Sequence, residues 1–120
     1  VKGDENIMMK IAVPTSNGVL DPHFGHCQAF TIFEVDIEQS KIQNSSLLQA
    51  PPHEPGLLPK LLSEKGVDVV IAGGMGMHAQ QLFSQRGITV IVGAPAIDAT
   101  EVVEQYMAGT LDRQDNMCDH

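Results

Sequence analysis

Hydrophobic positions follow two rhythms along this chain, with a proline-rich break between them. In the first half, "MKIAVPT" (9–15) is a short apolar run carrying β-branched Ile11 and Val13, and it reads as a buried strand closed by Pro14. "AFTIFEVD" (29–36) alternates Phe30, Ile32 and Glu34 with Thr31, Phe33 and Val35, the period-two pattern of a strand covered on at least one side. "KIQNSSLLQ" (41–49) returns after the polar turn "IEQS", so these two strands are expected to pair antiparallel. "APPHEPGLLP" (50–59) then breaks all regular structure and reads as a mobile connector.

Beyond the break, helix and strand patterns alternate. Leu57, Leu58, Leu61 and Leu62 recur at helical spacing, with Pro59 tolerable in a first turn and Gly66 as a stop. "VDVVIAG" (67–73) is a continuous apolar run of strand length, the mark of a parallel strand buried on both faces. "MHAQQLFSQRG" (77–87) is a second helix burying Ala79, Leu82 and Phe83, and "ITVIVG" (88–93) the next buried strand. Asp98 caps a third helix, with Glu101 at the reciprocal capping position, Val102, Val103, Tyr106 and Met107 along one stripe, and Gly109 at its end. The expected fold is α/β, with a mixed five-stranded sheet in the order 3-2-1-4-5 and strand 2 antiparallel. In such sheets ligands bind off the carboxyl ends of the strands where the order reverses, here between the first strand and the one at 67–73.

The 120 residues and 42% hydrophobic content suit one core. Residues 1–8 are polar and aperiodic and read as a natural extension or a cloning remnant, residues 9–109 as the single domain, and 110–120 as a flexible tail. With no membrane-length apolar run and no signal-peptide pattern, the expected address is the cytoplasm. A formal net charge of -8 speaks against general attraction to nucleic acid or anionic lipid. Cys27 and Cys118 form no C-x-x-C pair, so reduced thiols are expected rather than a disulfide framework or a zinc ribbon.

The chemistry concentrates at two places. "DPHFGHC" (21–27) sets His23, His26 and Cys27 around Gly25, offering imidazole nitrogen and thiolate sulfur, donors suited to zinc, copper or iron-sulfur species rather than magnesium or calcium. The plain alternative is a loop with one satisfied histidine and a half-buried cysteine. "GGMGMH" (73–78) joins a strand to a helix through Gly73, Gly74, Met75 and Gly76, where backbone N–H groups and a helix N-terminus can face an anion. It matches neither a dinucleotide fingerprint nor a P-loop, and a tight turn needing glycine for sterics alone is the alternative. Met75 and Met77 carry polarizable sulfur but equally serve as core filler, and His78 is either an anion donor or a surface residue. The closing "MCDH" adds Cys118 and His120, a short tract able to bind metal or simply a solvated tail.

"MKIAVPTSNGVLDPHFGHCQAFTIFEVD", "VDVVIAGGMGMHAQQLFSQRGI" and the closing cysteine-aspartate-histidine together resemble the dinitrogenase iron-molybdenum cofactor biosynthesis family, small proteins or domains that include cofactor carriers of nitrogenase assembly and the orange protein of sulfate reducers. The resemblance covers residues 9–108. It implies a ribonuclease H-like, three-layer fold without nuclease activity that binds iron-sulfur or molybdenum-containing clusters. It also implies that His23, His26 and Cys27 are soft ligands or hydrogen-bond donors, and that Gly73 to Gly76 with His78 form the anion-contacting turn. Anionic metal-sulfide clusters can be held by backbone N–H and imidazolium donors without a full cysteine cage. The expected function is a non-catalytic binding or carrier protein, with a cluster as cargo and protein donors and acceptors as partners. Its rivals are a small-anion-binding module using the glycine turn alone, a thiol enzyme using Cys27, and a regulatory interaction domain with a vestigial crevice.

Overall fold

A computed structural model describes residues 8–21, 29–49 and 57–111. Strands β1 (Met8–Ser16), β2 (Val19–Leu20), β3 (Ala29–Asp36) and β4 (Lys41–Gln49) come first; α1 (Leu57–Glu64), β5 (Val69–Ile71), α2 (Met77–Gln85), β6 (Thr89–Ile91) and α3 (Ala99–Ala108) follow. They build one mixed sheet of six strands, ordered β4-β3-β1-β5-β6 with β2 paired to β1 off that path. The β1–β3 and β3–β4 pairs are antiparallel, the β1–β5 and β5–β6 pairs parallel. The expected five-strand order contained no strand at Val19–Leu20, which shifts every later strand number by one.

That extra strand corrects the reading of Pro14 as a strand end. β1 runs on to Ser16 and turns at Asn17 (φ 57°) and Gly18 (φ 82°), both left-handed as a two-residue hairpin turn requires. Pro14 is tolerated because its carbonyl accepts from Asp21 N at 2.9 Å, on the side where β1 has already passed its last partners in β5, Val69 and Val70. The N–H and C=O of a strand residue point the same way, so the N–H that Pro14 lacks would have faced Asp21, beyond the end of β2, and no bond to β3 or β5 is lost. The parallel strands are shorter than expected, three residues each instead of 67–73 and 88–93.

Two cores flank the sheet. Odd-numbered positions Ile11, Val13, Phe33, Val35, Val69 and Ile71 pack against Ala99, Val102 and Val103 of α3. Even-numbered Ala12, Phe30, Ile32 and Val70 pack against Leu62 of α1 and Phe83 of α2. The strand pleat alone sorts these side chains to opposite faces, so β3 is covered on both sides. In α2 only Phe83 is fully buried; Ala79 and Leu82 are half-buried because α2 lies over the sheet's outer margin. Asp98 caps α3 as expected, its Oδ1 accepting from Thr100 N at 2.9 Å, and Gly109 ends the helix at φ 76°. Asp36 at the end of β3 is buried, its Oδ1 accepting from Glu38 N at 3.0 Å and Gln39 N at 3.2 Å.

Candidate functional site

Because β1 and β5 run parallel side by side, the segment leaving β2 and the turn leaving β5 reach the same end of the sheet. The chain passes from β1 to β3 on one side and returns through α1 to β5 on the other, so this end is the topological switch point at which open α/β sheets bind ligands.

The first wall is the β1–β2 hairpin. Ser16 Oγ donates to Asp21 Oδ2 at 2.7 Å, and Asp21 N donates to Pro14 O, tying the first residue of the histidine-rich loop back to β1. Leu20 N donates to Ile97 O at 2.9 Å and Ala99 N to Gly18 O at 3.1 Å, while Val19 bridges Asp98. The hairpin is therefore clamped between β1 and the start of α3. His23, His26 and Cys27 follow within residues 22–28, outside the described residues, as do Cys118 and His120.

The second wall is the turn from β5 to α2. Gly73, Gly74 and Met75 are buried, and Gly76 is the exposed N-cap of α2, with no side-chain cap bond. Gln80 braces the turn by donating from Nε2 to Met75 O at 2.9 Å. Met75 is 1% exposed in the core beneath α1 and α2, so its thioether is not presented to solvent. Met77, by contrast, is 62% exposed, and His78 beside it is exposed in the first turn of α2. None of Gly73, Gly74 and Gly76 has a positive φ. A Cβ on Gly76 would meet nothing within 4 Å, so neither backbone nor neighbours demand glycine at 76.

A third wall was not expected. Gly93 (φ 85°) leaves β6, donates from N to Gly73 O at 3.0 Å, and Ala94 N reaches Ala72 O at 3.1 Å, bringing residues 93–97 against the glycine turn. The readable signal was the small-residue stretch "GAPA" after an apolar run; for the hairpin it was "NG", the residue pair favoured in two-residue turns. Among the described residues, no group of three or more His, Cys, Asp or Glu is placed to hold a metal ion. No helix in the described part is long and apolar enough to cross a membrane.

The family model described as "Dinitrogenase iron-molybdenum cofactor" matches residues 8–109, from the first residue of β1 to the C-cap of α3. The chain belongs to this family. An uncharacterised protein of Methanocaldococcus jannaschii is 33% identical over 112 residues, spanning 88% of this chain and 92% of its own. The crystal structure of PH0822 superposes with a TM-score of 0.80 at 27% identity, covering 89% of this chain and 96% of that one. The apo form of the orange protein from Desulfovibrio gigas shares the fold, with a TM-score of 0.72 at 21% identity, over 92% and 97% of the two chains. The family match includes both the histidine-rich segment 21–27 and the glycine turn 73–76.

Proposed function

We propose that this chain is a non-catalytic carrier of an iron-sulfur or molybdenum-containing cluster, taken up and released during cofactor assembly. The observation that carries the reading is the α2 N-terminus, whose cap Gly76 makes no side-chain cap bond among the described residues, at the end of the sheet where Asp21 leads into the segment carrying His23, His26 and Cys27. Membership of a family described by the iron-molybdenum cofactor supplies the chemical class of the cargo.

In this reading His23, His26 and Cys27 supply soft ligands or hydrogen bonds to cluster sulfur, and the turn of Gly73, Gly74, Met75 and Gly76 supplies backbone N–H groups. His78 adds an imidazole donor beside them, and Cys118 and His120 are supplementary ligands. Hydrogen bonds and few covalent ligands make the cargo releasable, as transfer between proteins requires. The domain spans 9–109 and is ribonuclease H-like, a reading supported by the mixed sheet with helices on both faces. Its partners are the cluster's protein donor and acceptor, in a cytoplasm that keeps the thiols reduced; the net charge of -8 argues against nucleic acid.

Anaerobic reconstitution with iron and sulfide, with and without molybdate, tests the proposal on the wild type and on His26→Ala/Cys27→Ala. After desalting, stoichiometric metal and visible absorption are expected in the wild type and lost in the double variant, with the far-UV circular dichroism unchanged. Equal colour and metal in both proteins removes these ligands from the site. A wild type that stays colourless while inorganic phosphate raises its Tm transfers the reading to the small-anion module.

A further inference from the structure

The turn from β5 to α2 has most of its carbonyls tied back and donors left open. Of the four carbonyl oxygens from Gly73 to Gly76, three are engaged: Gly73 O accepts from Gly93 N at 3.0 Å, Met75 O from Gln80 Nε2 at 2.9 Å, and Gly76 O from Gln80 N at 3.1 Å. The N–H groups of Gly74 and Gly76 meet no acceptor among the described residues. Gln80 thus holds two successive carbonyls. The bond to Gly76 O is the first backbone bond of the helix and is open to any residue but proline at this position; the bond to Met75 O depends on the glutamine side chain. A carbonyl oxygen only accepts, so the carboxamide must present its NH2 to Met75. No peptide bond is cis, and in a trans peptide the C=O and N–H point in opposite directions. Holding Met75 O toward Gln80 therefore turns the Gly76 N–H away from it. Met75 itself is anchored, being 1% exposed in the core.

We propose that Gln80 is the positioning residue of the glycine turn: its carboxamide fixes the Met75–Gly76 peptide with the N–H outward, so that the turn offers donors rather than acceptors to an anionic cargo. No other side chain among the described residues bonds a carbonyl of the turn. Gly76 is exposed, and even a Cβ there would meet nothing within 4 Å, so no packing around residue 76 would keep the peptide plane from rotating once that bond is gone. Rotation would bring the Met75 carbonyl, with its partial negative charge, to the side where the Gly76 N–H stands, and the preference for an anion would fall. That the cargo is an anionic cluster rests on the carrier reading; the orientation of the peptide does not.

Gln80→Met tests the proposal, since methionine matches glutamine in length and helix propensity but donates no hydrogen bond, and Gln81→Met makes the same exchange at the exposed neighbour. In the isotope-labelled apo chain, the Gly76 amide is expected to have an order parameter of about 0.85 in the wild type and in Gln81→Met, and below about 0.6 in Gln80→Met. After anaerobic reconstitution with iron and sulfide, iron is expected to leave Gln80→Met roughly tenfold faster during desalting than it leaves the wild type or Gln81→Met, the effect of one misdirected charge-assisted hydrogen bond. Equal Gly76 order in all three proteins overturns the proposal, even where iron release quickens and Tm falls, because Gln80 would then act through stability alone. Equal iron release from all three loaded proteins overturns it too, and leaves the carrier reading standing. A wild type that takes up no iron removes the carrier reading instead. The Gly76 order parameter then decides by itself: a drop confined to Gln80→Met upholds the positioning role, and no drop overturns it.

Discussion

Gly18 and Gly76 are both glycines with open space where a Cβ would go, yet they do different work. Gly18 sits at φ 82° and Gly76 at φ -65°. Alanine at 18 is therefore expected to cost about 1 kcal/mol through backbone strain alone, whereas alanine at 76 should change stability by less than about 0.5 kcal/mol. Urea denaturation of the two variants measures both. If the turn holds cargo, Gly76→Ala should nonetheless release cluster faster during desalting than Gly18→Ala does, reversing the order seen in stability. Ser16→Ala removes the 2.7 Å bond to Asp21 and is expected to cost about 1 kcal/mol. The alternating positions of β3 were legible in residue types, but the Ser16–Asp21 tie was not, because a serine five positions before an aspartate has no distinguishing pattern.

At the scale of elements, helix ends were the most readable feature, since their chemistry is local. Asp98 lies before an apolar stripe and Gly109 after it, and both occupy the cap positions that the spacing specified. Asp98→Ala should cost about 1 kcal/mol, with Asp98→Asn recovering most of it. Because Val19 bridges residue 98 and Leu20 bonds Ile97, loss of this cap should also speed amide exchange at Val19 and Leu20. Exchange that quickens only within α3 would mean that the clamp does not depend on the cap. Asn17-Gly18 carries a hairpin signal, but Pro14 just before it is a strand-ending residue by type; only the end of the β5 pairing beside it shows why proline fits within β1. The apolar runs at 67–73 and 88–93 are longer than β5 and β6 for a related reason: they continue into turns that are largely buried, so hydrophobicity outlasts hydrogen bonding.

In the whole molecule, a single sheet separates two cores that share every central strand. Phe83→Ala, at a fully buried position beneath α2, should lose about 3–5 kcal/mol. Since Val70 on one face and Val69 and Ile71 on the other belong to the same β5, thermal unfolding should remain one transition by both near-UV and far-UV signals; two separated midpoints would show that the faces melt independently. By itself the sequence determined what is local or periodic: the α/β class, the faces of β3, the caps of α3, and which residue types stand together at 23, 26 and 27 and at 73–78. The tertiary structure alone decided two other matters. It buried Met75 while leaving Met77 exposed, and it brought Gly93 against Gly73 as a third wall. Each depends on which distant segments become neighbours, and packing geometry leaves no periodic trace along a single chain.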